Sequence, residues 1–410
     1  MEVKHEMPTL ATVGTGTMVS DGLSIINAEF SCSSFRVAPV RIGARNFLGN
    51  GIVYPAGGRT GDNCLLATKV MIPVSGPVRE GVGLLGSPCF EIPRSVRSDH
   101  QFDHLGTQRR RRHRLRAKNR HNAVTIGLHL LVRWLYVAGL TLVALLPFIG
   151  AAASRALRTT ARGTIVAGLL HTAVSQVQNA AVHGVTVADM LGTAVLGVTV
   201  ADVLATTGLL LLMLVFTVGY FVAVERAVTG FRALKPRFCS IYQPLFWRHE
   251  RYWKVPSITY IQMFSGTPFK SVVWRLLGVR VGRRVLDDGC SIVERTLVSI
   301  GRECTLNAGS ILQGHSLEDG TFKSGYITIG ARSTIGTGAF VHYGVNLGDG
   351  AMLDADSFLM KGEHIPPGSR WRGNPAATVP ARAPAPAAFR PPGTIPLTGP
   401  DLQPALTNRM

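Results

Sequence analysis

The chain has 410 residues, of which 46% are hydrophobic, and a formal net charge of +19. This combination is typical of a membrane protein with basic cytoplasmic faces and argues against a disordered chain. A basic chain can also bind nucleic acid, but the sequence carries no nucleic-acid recognition motif. The six cysteines have no paired or regular spacing, which indicates reduced thiols in a cytoplasmic compartment.

The first feature along the chain is one half of an internal repeat. Residues 13–88 match residues 300–375 without a gap after a shift of 287 positions. For example, Ile42–Arg45 and Ile329–Arg332 both read IGAR. We therefore expect one module to occur as a first and a second copy, with a segment inserted between them.

Inside each copy an aliphatic residue returns at every sixth position. This period fits neither a helix nor an alternating strand, and it predicts a solenoid of short strands with glycine at tight corners. Both copies lengthen the same step from six to seventeen residues, which predicts a loop extruded at one corner. In the second copy the periodic residues are Ile300, Leu306, Leu312, Ile329, Ile335, Val341, Leu347, Leu353, Leu359 and Ile365.

Two uncharged segments lie between the copies, at residues 134–153 and 203–224. Each is long enough to cross a bilayer, which takes about 20 residues. Basic residues precede the first segment, from Arg109 to Arg120, and others follow the second. The positive-inside rule then predicts a membrane hairpin with both ends cytoplasmic. Uncharged Gly163–Ala188 is expected to be external or interfacial rather than a third span.

Two buried helices of a soluble core are the alternative for these segments, and the dense basic flanks disfavour it. The predicted fold class is therefore mainly β with transmembrane α. We expect a first solenoid over residues 1–95, a basic flank and two-span hairpin over 109–235, and a second solenoid over 236–376. Residues 377–410 are rich in Pro and Ala and are expected to be disordered.

Differences between the copies indicate where chemistry lies. His315 stands opposite Ala28, and His342 opposite Pro55. Counting strands places both histidines on one face in successive coils, about 4.8 Å apart, beside the extruded loop His315–Thr328. Imidazole suits proton removal at neutral pH, so we expect one of them to act as a general base.

Neighbouring polar residues complete the predicted catalytic site. Glu318 or Asp319 of the loop would orient a histidine, and Asn307 and Tyr343 would donate hydrogen bonds to a developing oxyanion. The alternative is that both histidines are structural residues of solenoid corners. Their joint absence from the first copy favours the catalytic role.

The six-residue period and the closing run Trp371–Ala376 resemble the hexapeptide-repeat acyltransferase family. This resemblance implies two left-handed parallel β-helices, joined here by the transmembrane helical hairpin. It also implies that the pantetheine arm of an acyl donor contacts Lys361, Arg372, Gly373 and Asn374. The γ-class carbonic anhydrases share this fold but need three histidines around zinc, so no metal site is expected.

Longer runs resemble a narrower family, the C-terminal membrane region of actinobacterial single-module nonribosomal peptide synthetases of the ε-poly-lysine synthetase type. The resemblance covers nearly all of residues 10–376. In that family an adenylation domain activates an amino acid, a phosphopantetheine carrier holds it, and membrane-linked tandem domains form amide bonds. The runs that carry the resemblance include Tyr54–Asp62, Phe246–Lys254, Val293–Leu297, Leu317–Lys323 and Phe340–Gly344.

The chain departs from this family because it has no adenylation or carrier domain and its first copy begins at the second coil. We expect a truncated or split system whose adenylation and carrier domains act in cis upstream or in trans. The predicted function is a multi-pass acyl or peptidyl transferase of the cell membrane, with both solenoids cytoplasmic. The first copy would be a non-catalytic partner of the second.

The expected donor is carrier phosphopantetheine or coenzyme A, with no tightly bound cofactor. The bilayer is an expected partner, nucleic acid is not, and a homo-oligomer is compatible with the sequence. Two other functions remain open. One is an acetyl-CoA-dependent O-acetyltransferase, and the other is a non-enzymatic membrane scaffold for a separate synthetase.

Overall fold

The computed structural model describes residues 3–94, 108–162 and 200–380. The predictions for Gly163–Ala188 and for most of the tail lie outside these residues. Residues 3–92 form the first solenoid, which also contains a short 3-10 turn at Pro8–Leu10. Its strands are β1 Val3–His5, β2 Ala11–Val13, β3 Met18–Val19, β4 Leu23–Ile25, β5 Ala28–Ser31, β6 Ser34–Val37, β7 Val40–Ile42, β8 Phe47–Leu48, β9 Val53–Tyr54, β10 Arg59–Thr60, β11 Leu65–Leu66, β12 Gly83–Leu85 and β13 Phe90–Ile92.

Each coil strand of the first solenoid pairs in parallel with the strand one coil later. The strand orders are β1-β4-β9, β2-β7-β10 and β3-β8-β11-β12, and β13 closes the last sheet as an antiparallel strand. The extruded loop is the antiparallel hairpin β5–β6. Three parallel sheets therefore form three faces around one apolar core, which includes Leu48, Ile52 and Leu66.

Two long helices follow, α1 over Gln108–Arg162 and α2 over Val200–Val228. Their parts Arg112–Pro147 and Leu204–Val228 are long and apolar enough to cross a membrane. The basic flank predicted to precede the first span is thus itself helical. The two helices contact each other, with the Tyr220 hydroxyl donating to the Val132 carbonyl at 2.6 Å.

A connector that the periodicity did not predict leads from α2 to the second solenoid. It contains strand β14 Phe238–Ser240, helix α3 Pro244–Lys254, a 3-10 turn at Thr259–Phe264 and helix α4 Pro268–Leu277. Both helices begin at a proline, and α4 ends at Gly278 in a left-handed conformation, which is a common helix stop.

Residues 280–378 form the second solenoid, with a 3-10 turn at Arg295–Leu297. Its strand orders are β15-β18-β23-β26-β29, β16-β19-β24-β27-β30 and β17-β20-β25-β28, all parallel. The strands are β15 Arg280–Val281, β16 Leu286–Asp287, β17 Ser291–Ile292, β18 Val298–Ile300, β19 Thr305–Leu306, β20 Ile311–Gln313, β21 His315–Glu318, β22 Thr321–Ser324, β23 Ile327–Ile329, β24 Thr334–Ile335, β25 Phe340–His342, β26 Asn346–Leu347, β27 Met352–Leu353, β28 Phe358–Leu359, β29 His364–Ile365, β30 Arg370–Arg372 and β31 Ala377–Thr378.

The predicted parallel strand sheets are confirmed, whereas left-handedness stays a prediction. Periodic residues such as Leu312, Ile335 and Leu347 are fully buried in the core. The extruded loop is again a hairpin, β21–β22, at the same offset as β5–β6. The expectation that the tail begins at residue 377 is wrong, because Ala377–Thr378 pairs antiparallel with β30.

Helix α4 is fixed to the first coil of the second solenoid by a buried ion pair. Lys270 Nζ lies 2.8 Å from Asp287 Oδ1, and both side chains are almost fully buried. Trp274 Nε1 donates to Asp287 Oδ2 at 2.7 Å. Removing either charge would leave the other buried without a partner, so the contact fixes where α4 lies.

The two solenoids pack through different faces. The face β3-β8-β11-β12 of the first contacts the face β17-β20-β25-β28 of the second around an apolar cluster of Leu85, Phe340 and Phe358. Lys69 Nζ lies 3.0 Å from Asp356 Oδ1 at the edge. The contact is heterologous, because it does not join equivalent faces. The face of the second solenoid that is equivalent to β3-β8-β11-β12 is β19-β24-β27-β30.

Coil stacking leaves no room for a side chain at Gly336. A Cβ there would lie 2.4 Å from the Asp354 carbonyl carbon, whereas a Cβ at Gly362 would meet nothing within 4 Å. We expect Gly336→Ala to cost about 3 kcal/mol of unfolding free energy, the upper range for overpacking. Gly362→Ala should cost about 1 kcal/mol, because it only strains a positive φ. Thermal unfolding of both variants in detergent tests this, and equal losses would contradict it.

Candidate functional site

A cavity of about 290 Å³ lies between the two solenoids. Its wall is largely apolar and includes Phe47 and Leu65 from the first solenoid and Phe358 from the second. Such a wall with a few convergent polar groups is typical of a small-molecule site. Both solenoids form the cavity, and its polar lining includes Ser20, Asn50, Gln313, Glu318, His342 and Lys361.

Gln313 connects the two walls. Asn50 Nδ2 of the first solenoid donates to Gln313 Oε1 at 2.9 Å, and Gln313 Nε2 donates to the His315 carbonyl at 3.1 Å. Gln313 is the register partner of His342 on the adjacent strand. The first solenoid therefore orients a polar side chain directly beside the cavity histidine.

His342 ends β25 and is 4% exposed. Its Nδ1 has no hydrogen-bond partner within the described part of the chain. Burial lowers the pKa of His342 well below its usual range, and the positive charge of the nearby Lys361 lowers it further. The imidazole is therefore neutral at physiological pH, the form that accepts a proton.

His315 takes a different position from the one predicted. It begins the hairpin strand β21, where the chain leaves the coil, and its ring packs 4.4 Å from the Trp253 ring of α3. Its side chain does not line the cavity, although that of the next residue, Ser316, does. Side chains alternate across a strand, so Ser316 rather than His315 faces the cavity, and the structure does not bring the two imidazoles together along its wall.

A buried carboxylate, Glu294, holds His315. Its Oε1 lies 2.8 Å from His315 Nδ1 in a bent contact, accepts from Trp253 Nε1 at 2.9 Å and lies 3.4 Å from His249 Nε2. Burial alone would raise the pKa of Glu294, but its contacts with His315 and His249 hold it well below its usual range. Glu294 is therefore an ionised anchor for three side chains.

The loop carboxylates contact basic side chains. Asp319 Oδ2 accepts from Arg94 Nη1 of the first solenoid at 2.9 Å. Glu318 pairs with Lys361 at the cavity and lies 4.0 Å from Lys323. The carboxylate that contacts His315, Glu294, belongs instead to an earlier coil, and an orienting role for Glu318 or Asp319 stays a prediction.

The predicted oxyanion donors are engaged in the coil and hairpin. Asn307 Nδ2 donates to the Ile335 carbonyl at 2.8 Å, so this amide serves the neighbouring coil. The Tyr343 hydroxyl lies 3.5 Å from Ser316 Oγ, beside the cavity wall. Of the two, Tyr343 lies nearer to the residues that line the cavity.

The residues predicted to contact a pantetheine arm separate into two groups. Lys361 lines the cavity. Arg372 is exposed and donates to Asp354 at 2.7 Å, next to Gly373. Asn374 Nδ2 donates to the Lys69 carbonyl at 2.7 Å, so it joins the two solenoids rather than lining the cavity.

Sequence reasoning missed Glu294, His249, Trp253, Gln313 and Asn50. The repeat carried a usable signal for two of them, because Met7 stands opposite Glu294 and Ile26 opposite Gln313. No group of three or more His, Cys, Asp or Glu among the described residues is arranged to hold a metal ion.

The chain is similar to a known family and to known proteins. Residues 326–361 match a family described as the hexapeptide repeat of succinyl-transferase. The chain is 24% identical over 376 residues to the Delta-poly-L-ornithine synthetase of Acinetobacter baumannii (strain AB307-0294). The match covers 90% of this chain and 24% of that protein, so the chain spans about a quarter of its relative. This supports a synthetase family with hexapeptide repeats, and the ε-poly-lysine type stays a prediction.

Similar solved structures include two acetyltransferases. A maltose O-acetyltransferase from Clostridium difficile 630 is 17% identical, with coverage of 35% of this chain and 91% of that one and a TM-score of 0.25. The soybean serine acetyltransferase apoenzyme is 18% identical, with coverage of 40% and 57% and a TM-score of 0.23.

The buried histidines predict how stability depends on pH. Burial lowers the pKa of both His342 and His249, so below about pH 6.5 the unfolded chain binds protons that the folded chain does not. Stability should therefore fall with falling pH, by up to about 1.4 kcal/mol per pH unit for each histidine. His342→Gln should therefore reduce the slope of unfolding free energy against pH by the contribution of His342.

The slope is measured from unfolding free energies between pH 7.5 and 5.5. This range lies above the pH at which Glu294 takes up a proton. His364→Gln is the control, because His364 is exposed in the same solenoid and should keep the wild-type slope. A His342→Gln slope equal to that of the wild type would contradict the assignment.

Proposed function

We propose that the chain is the transferase part of a peptide synthetase and forms amide bonds from a carrier-bound aminoacyl thioester. One observation carries the proposal. His342 lines a cavity that the two solenoids form together, and it is a buried, neutral histidine with a ring nitrogen that has no partner among the described residues. This is the environment expected for a general base that acts away from bulk water.

The residues have distinct roles in this reaction. The acceptor amine nitrogen attacks the thioester carbonyl carbon, so a C–N bond forms while the C–S bond breaks. His342 accepts the proton that the amine loses and returns it to the leaving thiolate. Gln313, oriented by Asn50, contacts the substrate beside His342, and Lys361 at the cavity lies where a phosphate of the donor arm would be attracted.

The similarity to a poly-ornithine synthetase supports a polymer-forming reaction, because a poly-amino acid is built by repeated amide formation. We propose adenylation and carrier domains as partners, upstream in cis or in trans. We also propose that α1 and α2 form a membrane hairpin with both solenoids cytoplasmic, since the basic residues flank the two apolar spans.

A second candidate is a transferase that takes its acyl group from acyl-CoA. It is favoured by Lys361 at the cavity and by the match to a hexapeptide repeat of succinyl-transferase. Coenzyme A carries the same pantetheine arm as a carrier protein. Transfer from acetyl-CoA to a hydroxyl acceptor, without any response to a loaded carrier, would identify this function instead.

Replacing the base tests the proposal. In membranes that contain the protein, His342→Ala should lower amide formation from a loaded carrier by about 10²- to 10⁴-fold, the usual contribution of a general base. His315→Ala should have a smaller effect, because His315 lies outside the cavity. Product is measured by mass spectrometry with a free amine as acceptor.

His364→Ala is the matched control, since this exposed histidine belongs to the same solenoid and should leave turnover unchanged. Circular dichroism of each variant separates lost chemistry from lost fold. Unchanged product in His342→Ala would overturn the proposal and favour a non-enzymatic scaffold.

A further inference from the structure

The hairpin of the first solenoid exposes two aromatic rings. Phe30 on β5 is 76% exposed and Phe35 on β6 is 70% exposed, and their ring centroids lie 6.2 Å apart. Within the described residues, β5 and β6 pair only with each other. Such a bare strand edge beside an apolar surface is unusual in a stable protein and commonly marks a binding site.

The equivalent hairpin of the second solenoid is covered. Phe322 occupies the position of Phe35, and Leu317 occupies that of Phe30. Phe322 is fully buried, with ring centroids 5.3 Å from Phe246 and 4.7 Å from His249. Both hairpins therefore present apolar side chains at the same two positions, and only the second has a cover among the described residues.

Strand β14 and helix α3 supply that cover. β14 pairs antiparallel with β22 and places Cys239 opposite Phe322. The Ile241 amide then donates to the Gly320 carbonyl at 2.9 Å, and α3 lies across the apolar face. The second hairpin thus shows the geometry of a strand and a helix that would fit the first.

We propose that the β5–β6 hairpin is a docking site for a strand–helix segment of a partner polypeptide. The partner strand pairs antiparallel with Ser34–Arg36, the residues equivalent to Thr321–Lys323. The helix that follows lays an apolar face on Phe30 and Phe35. A strand edge requires backbone donors and acceptors, which a polypeptide supplies and a lipid surface does not.

The partner helix differs from α3 in the residue at the position of His249. Ala28 and Met7 stand where His315 and Glu294 stand in the second solenoid. Among the described residues the nearby carboxylate is Glu6, which is exposed and already accepts from the Asn27 and Ala28 amides, both at 3.2 Å. A buried histidine of the partner would therefore lack a buried carboxylate like Glu294, which would cost free energy. The partner helix carries aliphatic or aromatic residues at the position of His249.

The chain itself supplies the probe. A fluorescent synthetic peptide of residues 236–256 carrying His249→Leu is titrated onto the full chain in lipid nanodiscs. Saturable binding is expected, and it should weaken at least about tenfold in the Phe30→Ser/Phe35→Ser double variant, because exposed aromatics are typical binding hot spots. Both side chains are exposed, so the variant should fold normally.

Phe90→Ser is the matched control, since Phe90 is a half-exposed phenylalanine of the same solenoid and should leave the affinity unchanged. Cys32, exposed in the hairpin turn, reports the register. A peptide that carries Cys239→Ala and Ile241→Cys, with the new thiol held as an activated disulfide, should exchange onto Cys32 and release the activating thiol, as identified by mass spectrometry.

Three results would overturn the proposal. They are the absence of saturable peptide binding, equal binding by the double variant, and a loss in that variant of self-association or vesicle binding instead of peptide binding. The last result would identify a second copy or a lipid surface as the occupant.

Discussion

The stacking of one coil on the next is the constraint on which the remaining structure depends. Every coil strand bonds to the strand one coil later, and at positions such as Gly336 the neighbouring backbone comes too close for any side chain. A solenoid built this way can vary only at its outer faces, at its corners and in loops that leave it. The cavity, the hairpins and the connector all lie at these places.

The regular spacing of aliphatic residues explains which parts of this fold could be predicted from the sequence. A six-residue period locates strands and buried residues, and one lengthened step locates both hairpins. It could not predict α3 or Glu294 as a partner of His315, because that contact joins an earlier coil to a helix outside the repeat. Counting strands also could not show that the side chains of His315 and Ser316 point to opposite faces of their strand.

The site joins parts of the chain that are far apart in sequence. His342 is supported by a wall that belongs to the first solenoid, and Asn50 reaches Gln313 across the interface. His315, on the other side of the hairpin, is held by Glu294, which also binds α3. Glu294 is a charged anchor because its contacts lower its pKa and keep the carboxylate ionised, whereas burial lowers the pKa of His342 and keeps the imidazole neutral.

The heterologous packing of the solenoids has a consequence for how such a site can change over generations. In an isologous assembly of identical subunits, each substitution appears at once on both sides of every interface. Here the two walls of the cavity are encoded at separate positions of one chain. A substitution at Phe47 or Leu65 reshapes one wall and leaves the histidine-bearing wall unchanged, so substrate fit and proton transfer are free to diverge independently.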